Sequence, residues 1–171
     1  VETYTLRKDL QRMKRDIQSL KKKVDVVLVN HHWGTSMTHK VMDFEREIAH
    51  ASIDSGADIV LGGHPHVLQG IEFYKGNPIV YSMGNLIFDF DIPFFTEATK
   101  QTFIFGCELN KTGTKKHFLI PCKNSAWEKP KVLDPNRGNG KTILQSINQL
   151  NHPFATKTKI KGSIVELYTK N

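Results

Sequence analysis

Cysteine is nearly absent: Cys107 and Cys122 are the two in 171 residues. Each falls in one strand of an expected hairpin whose turn is Lys111 to Thr114. That register sets Cys107 against Phe118 and not against Cys122, so no disulfide is expected and both read as core thiols. They identify no redox compartment. Long apolar runs are missing too. None approaches the roughly 18 to 20 residues that cross a bilayer, so no membrane segment is expected. Repeats and low-complexity tracts are lacking. Acidic residues are outnumbered, 17 against 24 Lys and Arg, for a formal charge of +7. Such an excess suits phosphate groups, polyanions or an acidic membrane face. No nucleic-acid-binding signature accompanies it, so nucleic acid is not an expected partner. The densest run, Lys21-Lys22-Lys23, closes a helix, where cations complement the dipole. The chain opens on Val1-Glu2-Thr3 and runs into a charged helix. This reads as a chain without a signal peptide, and as a processed or truncated one.

Apolar content of 39% and charged content of 24% describe an ordinary globular domain, and the whole chain is expected to form one. Leu6, Leu10, Met13, Ile17, Leu20 and Val24 recur at helical steps, predicting an outer helix over 4–23. Val24 to Val29 reads as a strand buried on both faces, as in a parallel sheet. A helix is expected from Lys40 to Ser55, with Val41, Phe44, Ile48, Ala51 and Ser52 inward and Gly56 ending it. Asp58 to Leu61 reads as the second parallel strand, ended by a tight turn at Gly62-Gly63. Antiparallel strands then follow, over Val67 to Phe73, Ile79 to Tyr81, Thr102 to Leu109 and Lys115 to Cys122. Asp89 to Lys100 and Ser125 to Gly140 read as loops, Thr142 to Leu150 as a helix and Ile160 to Tyr168 as a last strand. Parallel βα units followed by antiparallel strands predict an α/β fold with mixed sheets flanked by helices.

Of the eight histidines, His50, His117 and His152 read as structural, and His39 as a loop residue before a helix. The others stand at strand tips: Asn30-His31-His32-Trp33-Gly34 after the first, Gly63-His64-Pro65-His66 after the second. If the two strands are adjacent and parallel, His32, His64 and His66 converge at the sheet edge where ligands collect. Imidazoles so gathered suit a divalent transition ion such as Zn, Mn, Fe or Ni, or a pair about 3.5–4 Å apart. The competing reading is a set of strand-end histidines bonded to loop backbone. Acid is what these tips lack: Asp58 lies at the far end of its strand.

The ordered succession His32-Trp33-Gly34, then Ala49-His50 through Asp54-Ser55-Gly56-Ala57-Asp58, then Gly63-His64-Pro65-His66-Val67, then Tyr81-Ser82-Met83-Gly84-Asn85-Leu86-Ile87-Phe88-Asp89 is highly specific. Over about residues 24 to 90 it resembles the bacterial capsule-synthesis CapA/PgsA family of the calcineurin-like metallophosphoesterase superfamily. The resemblance implies the C-terminal part of a metallophosphoesterase-like domain, a partial four-layer α-β-β-α sandwich, with two divalent ions in the intact protein. His32, His64 and His66 would be metal ligands. Asn85, Asp89 and His31 are candidates for the substrate site, although Asn85 equally suits a left-handed turn after Gly84. Trp33 reads as a packing wall. The family's earlier metal motifs have no counterpart here, and Thr35-Ser36 replaces an acidic residue often found after the tryptophan motif. Gly63 stands where many relatives carry a further histidine. The implied role is the making or processing of poly-γ-glutamate or a related capsule polymer, on an anionic polymer or phosphorylated substrate and with other capsule-synthesis proteins. An extracytoplasmic, membrane-associated location goes with it. The alternatives are a non-catalytic polyanion-binding component of a capsule synthesis or export complex, and an inactive fragment. No catalytic residue is assigned.

Overall fold

The structure is a computed structural model that describes residues 2–88, 96–124 and 129–169. Helix α1 (Glu2–Lys21) precedes strand β1 (Leu28–His32), helix α2 (Asp43–Asp54) and strand β2 (Ile59–Gly63). A hairpin of β3 (Ile71–Tyr74) and β4 (Asn77–Val80) follows. These four strands form one sheet in the order β1-β2-β4-β3, with β1, β2 and β4 parallel and β3 antiparallel. The second sheet is antiparallel. It joins β5 (Gln101–Asn110), β6 (Gly113–Lys123), β9 (Ile164–Thr169) and β8 (Thr156–Lys161), with the short β7 (Lys131–Val132) on β6. Helix α3 (Gly138–Asn151) and a 3-10 turn (His152–Phe154) precede β8. The α/β class with two sheets and flanking helices is as expected.

Two apolar layers hold these parts. On one face of the first sheet, Ile17 of α1 and Ala49 and Ile53 of α2 pack with Val27, Val60, Ile79 and Tyr81. On the other face, Leu68, Ile71 and Val80 meet Phe103, Leu119, Val165 and Leu167 of the second sheet. Ile143, Leu144 and Ile147 of α3 join that same inter-sheet core. Lys21 closes the helix layer: its Nζ lies 2.7 Å from Asp58 Oδ2, and that oxygen also accepts the Val27 N–H at 2.7 Å. One carboxylate thereby ties the end of α1 to the entry points of β1 and β2.

Several expectations change. The first strand begins four residues later than expected and contains His31 and His32, because parallel pairing with β2 continues to His32 against Gly63. Among the described residues it is an edge strand, and Leu28 is 51% exposed, so it is not buried on both faces. Gly62 and Gly63 belong to β2 rather than to a turn. In α2 the buried face carries Glu45, Ala49, Ser52 and Ile53, while Phe44 is exposed. The hairpin turn of β5 and β6 is shorter than expected, and Cys107 sits at a bulge; both cysteines are free thiols. The last strand is two strands, turned at Gly162 with φ of 61°. Gly56 ends α2 with φ of 111°, as its position after an apolar helix predicts. Among the described residues no helix is long and apolar enough to cross a membrane.

Ile147 is fully buried where α3 meets both sheets. Ile147→Ala is expected to cost about 2–5 kcal/mol in chemical denaturation, against less than about 0.5 kcal/mol for the exposed Leu109→Ala.

Candidate metal centre

Side chains alternate along β1, so its two adjacent histidines face opposite ways. His31 enters the helix layer. It stacks on Trp33 at 4.7 Å between ring centroids, and its Nε2 lies 3.0 Å from Ser52 Oγ. Burial holds its pKa below the ordinary value. His32 faces the other way and meets the histidines of the neighbouring tip. Its ring centroid is 4.6 Å from that of His64, and His64 is 5.7 Å from His66. Convergence of three imidazoles from two parallel strand tips is therefore realised for His32, His64 and His66. His31, the candidate substrate contact, is excluded from that cluster by the pleat of its own strand.

The tip of β2 is bent in an uncommon way. Left-handed backbone falls on His64 (φ 99°) and His66 (φ 62°), on either side of Pro65, not on the glycines before them. Non-glycine residues carry strain in that region, and such strain persists only where surrounding contacts fix it. Those contacts are present. The Trp33 N–H donates to Gly63 O at 3.1 Å, and the Met37 N–H to Pro65 O at 2.8 Å. Asn85 holds His66 at both ends. Its Oδ1 accepts from His66 Nδ1–H at 2.9 Å, and its Nδ2 donates to the carbonyls of His66 and Thr99, each at 3.3 Å. Asn85 thus positions His66 and sets its tautomer, leaving Nε2 as the lone-pair nitrogen. Its polar atoms are engaged with protein. Asp89 lies outside the described residues.

Gly62 is required for close approach. A Cβ there would stand 2.1 Å from Tyr81 O and 2.4 Å from Trp33 Nε1. The Trp33 indole fills that slot and donates to Tyr81 O at 3.0 Å, which makes it the packing wall expected of it. Ser36 Oγ stands 3.2 Å from His64 Nε2, in the position where an acidic residue was lacking. The donors are of the right kind for a divalent ion. Yet among the described residues no group of three or more His, Cys, Asp or Glu side chains is placed so that it could hold a metal ion by itself. The cluster is an open array of imidazoles.

The family described as bacterial capsule synthesis protein PGA_cap matches residues 1–90, more than half of the chain. This chain belongs to that family. It is 39% identical over 105 residues to the PGA biosynthesis protein CapA of Bacillus subtilis (strain 168), covering 61% of this chain and 27% of that protein. It is 41% identical over 117 residues to the capsule biosynthesis protein CapA of Bacillus anthracis, covering 66% of this chain and 27% of that one. A probable polyglutamine synthesis accessory protein of Mycobacterium tuberculosis is 34% identical over 67 residues, 39% of this chain and 18% of its own. The chain therefore spans about a quarter of the length of the Bacillus relatives.

A buried carboxyl lies beneath both tips and escaped the sequence analysis. Glu45 is fully buried on α2, and its Oε2 accepts the Met42 N–H at 2.6 Å. A Cβ on Gly34 would stand 2.5 Å from its Oε1 and 3.2 Å from the Pro65 ring, so the three groups are in close register. A serine or threonine at the helix cap would have signalled this contact; Met42 stands there instead. The Gln69 side chain lies beside Glu45, and both Oε1 atoms are buried without a hydrogen-bond partner among the described residues.

Burial raises the Glu45 pKa above its ordinary value against the opposing pull of the Met42 N–H. The unfolded chain then loses this proton at lower pH than the folded one. Stability is full below the ordinary glutamate pKa and falls as pH rises through the interval up to the raised folded value. Glu45→Gln supplies a permanent donor and removes that slope. It is expected to stabilise the protein by about 1–3 kcal/mol at neutral pH, read from denaturation midpoints collected between about pH 4 and about pH 8.

Proposed function

We propose that this chain carries the histidine-bearing part of a divalent-metal centre in a protein that makes or processes poly-γ-glutamate or a related capsule polymer. The observation that carries this is the meeting of His32, His64 and His66 from two adjacent strand tips. The names of the Bacillus and Mycobacterium relatives support the polymer. His32 from one tip and His64 and His66 from the other would hold Mn, Zn, Fe or Ni, and the remaining ligands would come from outside the described residues. An ion there supplies Lewis-acid polarisation of a phosphoryl or amide carbonyl oxygen. The chain's own residues do the rest. Asn85 fixes the His66 ring and leaves Nε2 available, and Ser36 holds His64. Glu45 and Trp33 brace the loops behind them. The substrate class is an anionic polymer or a phosphorylated precursor, and the protein works alongside other capsule-synthesis proteins.

A second reading is a non-catalytic component that holds the polyanion. The open donor set among the described residues favours it. It predicts salt-sensitive binding to poly-γ-glutamate that persists when His64 and His66 are both replaced by alanine.

Titration of the protein with Mn²⁺ and Zn²⁺ by calorimetry tests the first reading. Saturable binding is expected, lost in the His64→Ala/His66→Ala double variant and weakened about 10–100-fold in Asn85→Ala. Binding that is unchanged in the double variant overturns the assignment of these ligands.

A further inference from the structure

The loop that carries Ser36 to His64 continues into a second site. Residues 39 to 43 line a cavity of about 400 Å³ between the start of α2 and the end of α3, within the size range of ligand pockets. Its walls are mainly apolar, built from Val41, Leu150 and Phe154. Three basic side chains converge on it, His39, Lys40 and Arg46, with Asp43 as the acidic group at the rim.

These bases are placed rather than scattered. Arg46 is half-exposed, and its guanidinium carbon stands 5.8 Å over the Phe154 ring. From behind, its Nη2 is 3.3 Å from Glu72 Oε1. Glu72 is buried; its Oε2 accepts from Tyr81 O–H at 2.7 Å, and His50 Nε2 lies 3.0 Å from the same Oε1 that faces Arg46. That network anchors the guanidinium of a residue that lines the cavity and stays half-exposed. His39 Nδ1–H donates to Leu68 O at 2.7 Å, which fixes its ring. The Gln69 amide donates to the carbonyls of Thr38 and Lys40 at 3.2 and 3.1 Å, so the loop backbone is held while the Lys40 side chain stays exposed. Lys40 has no ion-pair partner among the described residues.

We propose that this cavity is an anchoring subsite for a γ-linked glutamate chain, separate from the histidine cluster. A carboxylate takes Lys40 and the free edge of Arg46, and the methylenes of the γ-linked backbone lie on Leu150 and Phe154. The match is specific in kind. A compact phosphate would satisfy the cations and leave the apolar walls wet, whereas an acid with an aliphatic body fills both. The inference rests on the capsule-polymer assignment and is independent of the metal.

Calorimetric titration of the protein with a synthetic γ-linked glutamate hexamer tests it, with tripolyphosphate as competitor. Saturable binding is expected. Lys40→Glu weakens it about tenfold or more, the size of one charge-assisted contact turned repulsive. Arg46→Lys, which keeps a cation for Glu72, weakens it less. Lys22→Glu, an exposed charge on α1's trailing turn, leaves it unchanged. Absence of binding, insensitivity to Lys40→Glu, an equal loss with Lys22→Glu, or displacement by tripolyphosphate at matched concentration each overturns the subsite. Metal titration separates the two assignments. If hexamer binding fails while metal binding depends on His64 and His66, only the subsite falls. If hexamer binding depends on Lys40 while metal binding fails, only the metal centre falls.

Discussion

The pairing of β1 with β2 is the constraint on which this molecule turns. His32 sits opposite Gly63, and the ladder runs back in step to Leu28 opposite Ile59. Side chains on a strand alternate with a period of two. A slip of a single residue would send His32 into the helix layer and bring His31 out in its place. What prevents the slip is the junction at Gly62: its missing Cβ leaves the slot into which the Trp33 indole fits, and the indole N–H closes on Tyr81 O. The tryptophan in the His32-Trp33-Gly34 motif therefore acts through geometry, setting which imidazole faces which way.

Order at the tip of β2 is bought with backbone strain. Two histidines in left-handed conformation flank a proline, and the cost of that arrangement is of order 1–3 kcal/mol per residue. It is offset by main-chain bonds from Trp33 and Met37 and by the double grip of Asn85 on His66. Asn85 comes from beyond β4, so the motif around residue 85 and the motif around residue 65 are two halves of one device. Their spacing along the chain is the length needed for the β3–β4 hairpin to run out and return.

Much of this was legible before any coordinates. The βα unit, the glycine ending α2, the convergence of His32 with His64 and His66, and Trp33 as a wall all follow from local pattern. What was not legible depends on partners distant in sequence. Strand β1 starts at Leu28 and not Val24 because β2 decides which residues pair. His31 and His32 are identical in type, and only the phase of the pleat separates them. Phe44 is exposed and Glu45 buried, against hydropathy, because the carboxyl serves the Met42 N–H and the loops above it. Asn85 looked like a turn residue or a substrate contact because its partner lies nineteen residues away. Gly162 divides the last strand, and a single glycine after the lysine-rich run of Lys157, Lys159 and Lys161 gave little contrast to find it by.

The exposed side of β1 has a further consequence. Among the described residues this strand is bonded on one side only, and Leu28 stands open on it. Such a ladder is a template with direction and phase already chosen. Any extended segment laid along Leu28–His32 in the same sense would finish next to the His32 ring and deliver its own terminal side chains there. The geometry of the edge thus fixes the side from which a neighbouring strand would reach the His32 ring.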